Sequence, residues 1–246
     1  MRFTTSWDDG HPLDLRLAEL LNRYGFRGTF YVPLTNREGL PVLPVAGLRE
    51  LDALGEVGSH TLDHWYLPTL SDGAARQQIH DGRVALENAV GHSIAGFCYP
   101  GGKFRRAHRD MVEAEGFSYA RTTRNLTFEP DGHPFERPTT LQFYPHSRAV
   151  YLSNWIKHGN QRQRLSFAVR AIATPDLLPL LKACLLSARS IGGTFHLWGH
   201  SWELDSFGGW ALLDEFLAFA ADHVETSDRA TNGELFARSH DRLGAA

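Results

Sequence analysis

The chain has 246 residues, of which 42% are hydrophobic and 22% charged, the ordinary balance of a globular domain long enough to bury a substantial core. Lys and Arg number 25 against 28 Asp and Glu, for a formal charge of −3. So even a balance argues against a nucleic-acid partner or a membrane surface held by bulk charge. No stretch is apolar for long enough to span a bilayer, and the start, MRFTTSWDD, lacks the apolar run of a signal peptide. The expectation is therefore a cytoplasmic protein without membrane insertion. Cys98 and Cys184 are too few for a disulfide framework and read as reduced thiols.

In chain order, the pattern predicts a strand over Arg2–Trp7 ending at Asp8-Asp9-Gly10. An amphipathic helix over Pro12–Tyr24 follows, with Leu13, Leu17, Leu20, Leu21 and Tyr24 on one face. Further strands are expected over Gly28–Val32, Glu56–Ser59, Ile94–Cys98, Ser118–Thr122 and Gly193–Trp198. Between them fall helices near Leu48–Leu54, Arg105–Glu115 and Leu177–Ile191, a long one from Ser71 to Val90 with Ser71 as N-cap, and a last one over Trp210–His223. Residues 125–170 give no legible periodicity. Alternating strand and helix units without a linker imply one domain over 1–246, built on a parallel sheet, either open and doubly wound or closed into a barrel.

The polar residues of interest all follow strands. Asp8 and Asp9 close the first, His60 the third, Pro100-Gly101-Gly102 the fourth and His200 the last, the end where parallel α/β proteins keep their active sites. His60 and His64 stand four apart, and a helical turn starting at His60 would put both imidazoles on one face. Two imidazoles and a carboxylate make a three-ligand site with open positions, suited to one catalytic divalent ion, Zn²⁺ first and Co²⁺, Ni²⁺, Mn²⁺ or Fe²⁺ otherwise.

Ser6-Trp7-Asp8-Asp9-Gly10 and His60-Thr61-Leu62-Asp63-His64 resemble the first two motifs of the polysaccharide deacetylase family (carbohydrate esterase family 4, the NodB-homology domain). Gly28–Val32 resembles its second strand. The likeness runs over about residues 3–102 and returns near 193–204. It implies a distorted (β/α) barrel of seven or eight strands, Asp8 as catalytic base, and Asp9, His60 and His64 as metal ligands. The Gly101 N–H matches the position that helps hold the oxyanion. The third motif, Arg-x-Pro-x-Gly in the family, has Cys98 where the Arg would stand. Either Arg105, Arg121 or another arginine serves from elsewhere, or Asp8 is less firmly held as a charge. The fourth motif, an Asp-Trp pair orienting the acid histidine, is not evident; Ser153-Asn154-Trp155 is a loose candidate. His200-Ser201-Trp202-Glu203 resembles a fifth-motif form of some branches, so His200 is preferred over His196 as general acid. Tyr99, Pro100 and Trp202 are the expected substrate contacts, Trp202 by stacking on a sugar ring. His11 and His146 stay unassigned, and His80, His92, His108, His133, His223 and His240 read as surface residues.

The implied activity is metal-dependent hydrolysis of an N-acyl group, N-acetyl first, from a sugar-type substrate that is a small molecule or is linked to lipid or nucleotide, as in surface-polysaccharide biosynthesis. The alternatives are a cyclic amide or imide hydrolase on the same fold and a catalytically inactive carbohydrate-binding homologue.

Overall fold

A computed structural model describes residues 1–129, 132–157, 161–174 and 176–235, without the side chains of 161–164. Seven parallel strands form one sheet in the order β5-β4-β3-β2-β1-β7-β6. They are β1 (Arg2–Asp8), β2 (Thr29–Val32), β3 (Glu56–Ser59), β4 (Gly96–Cys98), β5 (Tyr119–Arg121), β6 (Leu141–Gln142) and β7 (Thr194–Gly199). The helices are α1 (Asp14–Arg23), α2 (Val45–Leu54), α3 (Asp72–Val90), α4 (Arg106–Ala114), α5 (Arg148–Lys157), α6 (Gln161–Ala173), α7 (Leu177–Ser190), α8 (Ser201–Ser206) and α9 (Trp210–His223). The expected strands and the alternating order are all present. The illegible region holds β6, α5 and α6, and His200 is followed directly by α8. His240 lies outside the described residues. No described helix is long and apolar enough to cross a membrane.

The sheet curls into a half-barrel, and the residues leading into β6 draw its two edges together. Arg137 bridges to Arg121 of β5, while Leu141 pairs with Leu197 of β7. Thr122 N–H donates to the Arg137 carbonyl, and Thr140 N–H donates to that of His196. This is the distorted barrel the sequence predicts, in a single domain.

Strand side chains alternate between two buried faces, as the period of two demands. One face is apolar and packs under the helices, through Phe3, Trp7, Phe30, Val32, Phe97, Tyr99, Ala120, Phe195 and Leu197. The inner face is polar and carries Thr4, Ser6, Asp8, Tyr31, Cys98, Arg121 and His196, all buried. Buried polar groups need partners. Thr4 donates to Asn232, whose amide donates to the Tyr31 hydroxyl; Tyr31 donates to Tyr119, and Tyr119 to Glu56. That chain of bonds plugs the lower end of the barrel and leaves the upper end, where the strands finish, for chemistry.

Candidate active site

Register aligns the strand ends. Asp8 pairs with Tyr31, Val32 with Ser59, Ser59 with Phe97, and Cys98 with Arg121. Around these ends opens a cleft of about 440 Å³ lined by Asp8, Asp9, His60, His64, Gly101 and His200, together with Tyr66, Trp198, Trp202 and Glu203.

Asp9, His60 and His64 converge: their ligand atoms lie within 4.8 Å of one another. Asp9 Oδ1 is 3.2 Å from His64 Nε2 and 3.8 Å from His60 Nε2. His60 Nδ1 donates to the Cys98 carbonyl at 2.8 Å, which aims its Nε2 at Asp9. Burial pushes the His60 imidazole down to about 4, so it is neutral at pH 7, the form that ligates. Burial would raise Asp9, but the His64 hydrogen bond and the charges of His200, His60 and His64 outweigh it and hold the carboxyl well below the usual range. No helical turn forms at His60. The segment is an irregular loop with Thr61 at φ 65° and His64 at φ 57°, anchored where Leu62 N–H donates to the Gln78 carbonyl. Asp9 also has a positive φ of 80°, so three of the four described non-glycine residues in this region sit in or beside the candidate ligand set. Each costs about 1–3 kcal/mol and persists only where surrounding structure imposes it. Gly10 continues the turn at φ 60°, and a Cβ there would meet Val32 Cγ1 at 2.5 Å.

Asp8, deep in the cleft, is ion-paired with Arg121 Nη2. The arginine that the third motif lacks comes from the neighbouring strand, at the residue registered opposite Cys98. Both side chains point to the inner face, and the small thiol leaves the guanidinium room to reach Asp8. Cys98 Sγ lies 3.8 Å from Asp8 Oδ2, and burial pushes the thiol well above its ordinary value, which disfavours a free nucleophilic thiolate. The Arg121 guanidinium lies 5.2 Å from the Tyr31 ring centroid and 5.0 Å from that of Trp198. Burial opposes its charge, but Asp8 outweighs that and raises it. Of the two expectations, an arginine serving from elsewhere is the one the geometry supports. Arg105 is not that residue, being turned toward Asp72 and His108.

Across the cleft, His200 Nδ1 is 2.7 Å from Glu203 Oε2, and Glu203 also accepts from Gln142 Nε2 at 3.1 Å. Burial would lower His200, yet the Glu203 hydrogen bond and the charges of Asp9 and Asp8 push it up to about 9. It is a cation at neutral pH with a proton to give. His196 sits within the barrel, bonded to Ser6 Oγ at 2.8 Å and to the Pro138 carbonyl at 3.2 Å, and burial pushes it down to about 3. It is a neutral, satisfied core residue outside the cleft.

The expected substrate contacts fare differently. Tyr99 falls on the apolar face by strand alternation: it is wholly buried, stacks on Phe104 at 4.3 Å and donates its hydroxyl to the Phe135 carbonyl. Pro100 is buried too and absent from the cleft lining, so neither residue is placed to touch substrate. Gly101, at φ 60°, does line the cleft beside Tyr66. Trp202 lines it as well, but its Nε1 donates to Asp9 Oδ2 at 2.9 Å, which fixes the carboxylate as much as it offers a ring. Sequence reasoning passed over Glu203 as the partner of the acid histidine, although it lies three residues on, within one turn of α8. Asn154 and His146 also line the cleft, His146 bonded to Gln142 at 2.9 Å. His11 instead accepts from the Leu13 N–H.

The polysaccharide deacetylase family profile matches residues 3–120. No curated protein matches the sequence. Among solved structures, a polysaccharide deacetylase homologue from Mycobacterium smegmatis is similar over 98% of this chain and 90% of its own, at 16% identity and a TM-score of 0.67. A family 4 carbohydrate esterase from Streptomyces lividans, solved with acetate, is similar over 89% of each chain at 14% identity and a TM-score of 0.55. A pseudoenzyme of that esterase family from Bacillus anthracis is similar over 96% of this chain and 65% of its own, at 15% identity and a TM-score of 0.56. At these identities the likeness shows the fold.

Proposed function

We propose, from the premise that residues 3–120 place this chain in the polysaccharide deacetylase family, that it is a metal-dependent hydrolase removing an N-acetyl group from a sugar-type substrate. The observation that carries the reading is one cleft holding a paired carboxylate, a three-ligand cluster and a cationic histidine. The cluster suits a divalent ion: Asp9 Oδ1 is buried facing both imidazoles, His60 is neutral, and its ring is aimed by the Cys98 carbonyl. Asp9, His60 and His64 would hold the ion, which when bound polarises an acyl carbonyl and acidifies the attacking water.

Asp8, fixed by Arg121, accepts the proton of the water as its oxygen bonds the acyl carbon. The Gly101 N–H lies at the rim to stabilise the oxyanion that forms. His200, oriented by Glu203, gives its proton to the amine as the carbon–nitrogen bond breaks, leaving acetate and a free amino sugar. A lipid or nucleotide carrier for that sugar is part of the reading. The Bacillus anthracis neighbour is a pseudoenzyme on a similar fold, and what supports turnover here is the convergence of Asp8, the Asp9–His60–His64 cluster and His200 on one cleft.

The test is acetate release from a panel of N-acetylated sugars by metal-reconstituted protein, with cyclic imides alongside. Asp8→Asn is expected to keep its metal and lose turnover by ~10²–10⁴. Wild-type activity in Asp8→Asn overturns the base assignment, and activity on cyclic imides alone overturns the reaction class.

A further inference from the structure

The overall charge of −3 conceals a strong segregation. Residues 137–202 hold eight of the 25 basic residues and one of the 28 acidic ones, Asp176, and from 137 to 175 there is no acidic residue at all. That segment contains α5 and α6, which pack on each other. It also contains six of the eight large apolar side chains exposed among the described residues. Leu152 and Ile156 are 43% and 57% exposed on α5, and Leu165 and Val169 are 48% and 57% exposed on α6. Each pair is spaced i, i+4, so each forms a stripe along one helix face. Leu186 and Ile191 extend the exposed apolar set at the end of α7, where Arg170 of α6 donates to the Ala183 carbonyl and Ser187 Oγ.

On α5 the two sides are distinct. Val150 and Asn154 line the catalytic cleft, whereas Leu152 and Ile156, half a turn round, face solvent with Arg148 one turn before them and Lys157 beside them, both exposed. Apolar residues flanked by cations on a helix that lies along the surface are the pattern of an interfacial helix. The apolar stripe enters the acyl boundary while the cations meet anionic headgroups. A second copy of the chain is disfavoured as occupant, because a two-fold contact through this face would set its cations against their own symmetry mates.

We infer that the outer face of the α5–α6 pair docks on an anionic membrane surface, with the rim of the cleft beside it. The test is flotation of the full chain with vesicles of phosphatidylcholine, with or without phosphatidylglycerol, at low and high salt. Association with the anionic vesicles at low salt is expected to exceed that with neutral vesicles by at least ~10-fold and to fall as salt rises. Ile156→Glu with Val169→Glu abolishes it, and the milder Ile156→Gln weakens it. Arg148→Glu with Lys157→Glu removes the preference for anionic lipid. All these positions are exposed, so unchanged melting of each variant accompanies the loss. Equal or absent binding to the two vesicle types overturns the inference. So does a concentration-dependent dimer that Ile156→Gln dissociates, which would assign the face to a second copy. Vesicle binding needs no turnover, so its outcome is independent of whether the hydrolase reading stands.

Discussion

Replacing Arg121 by Gln tests whether an arginine delivered from β5 does the work that the third motif lacks. The side chain is wholly buried, its Asp8 partner nearly so, and Cys98 is the only other polar side chain bonded to that carboxylate among the described residues. Removing one member of such a pair leaves an uncompensated charge in a dry site, worth about 3–5 kcal/mol. At about 2–4 °C per kcal/mol for a domain of this size, melting should fall by roughly 6–20 °C. Without the guanidinium the carboxylate also loses the group that fixes its position in the cleft, so kcat should fall as well. Adding Asp8→Asn to Arg121→Gln should regain much of the lost stability but none of the activity, because the neutral amide leaves no buried charge. Calorimetry and steady-state kinetics read both effects. A melting temperature within about 2 °C of wild type together with an unchanged kcat would refute the role of Arg121.

Three further outcomes follow from the same cleft. His200 is raised from the ordinary 6.5 to about 9, so its contribution to stability is fully present below 6.5 and is lost as pH climbs through 9. Glu203→Gln should flatten that slope in metal-free protein and bring the alkaline limb of kcat to lower pH, whereas His200→Ala should cut kcat by ~10²–10⁴ with metal content unchanged. If His196→Ala shows that pattern instead, the acid has been misassigned. His60→Ala with His64→Ala should strip the ion in elemental analysis, and full loading of that variant sinks the ligand set. Tyr99→Phe should leave KM unchanged and cost only about 0.5–1.5 kcal/mol, the worth of its bond to the Phe135 carbonyl. A raised KM would return Tyr99 to the substrate site.

Strands such as β1 and β2 were legible because they are β-branched and aromatic runs bounded by turn residues, and the long helix because Ser71 caps it, accepting from Ala74 N–H, and Gly91 ends it at φ 88°. Residues 125–170 resisted because β6 has only two residues, and because α5 and α6 leave apolar side chains on their outer faces, which blurs the amphipathic period. The Asp8 side of the site was harder for a different reason. Motif reading runs along the chain, whereas Arg121 reaches Asp8 across the sheet from the position beside Cys98. Only the register of β4 and β5 makes them neighbours. Tyr99 was misjudged against a rule the sequence does carry: its neighbour Cys98 faces inward, so alternation sends Tyr99 out to the helices. The histidine pair met its expected neighbour Asp9 without the expected helix, since an irregular loop can bring side chains together as well as a turn can.

The pairing of β1 with β7 also dictates when the cleft can exist. Asp8 and Asp9 are made well before their neighbour, since the strand beside them begins at Thr194 and the acid histidine follows at position 200. At ~5–20 residues per second, β1 waits on the order of 10–40 s for that neighbour. Through that interval its inner face of Thr4, Ser6 and Asp8 lacks the partners that bury it, and a nascent chain has ligands without an acid. Catalytic competence therefore waits for β7, and ribosome-stalled chains that end before it should show none.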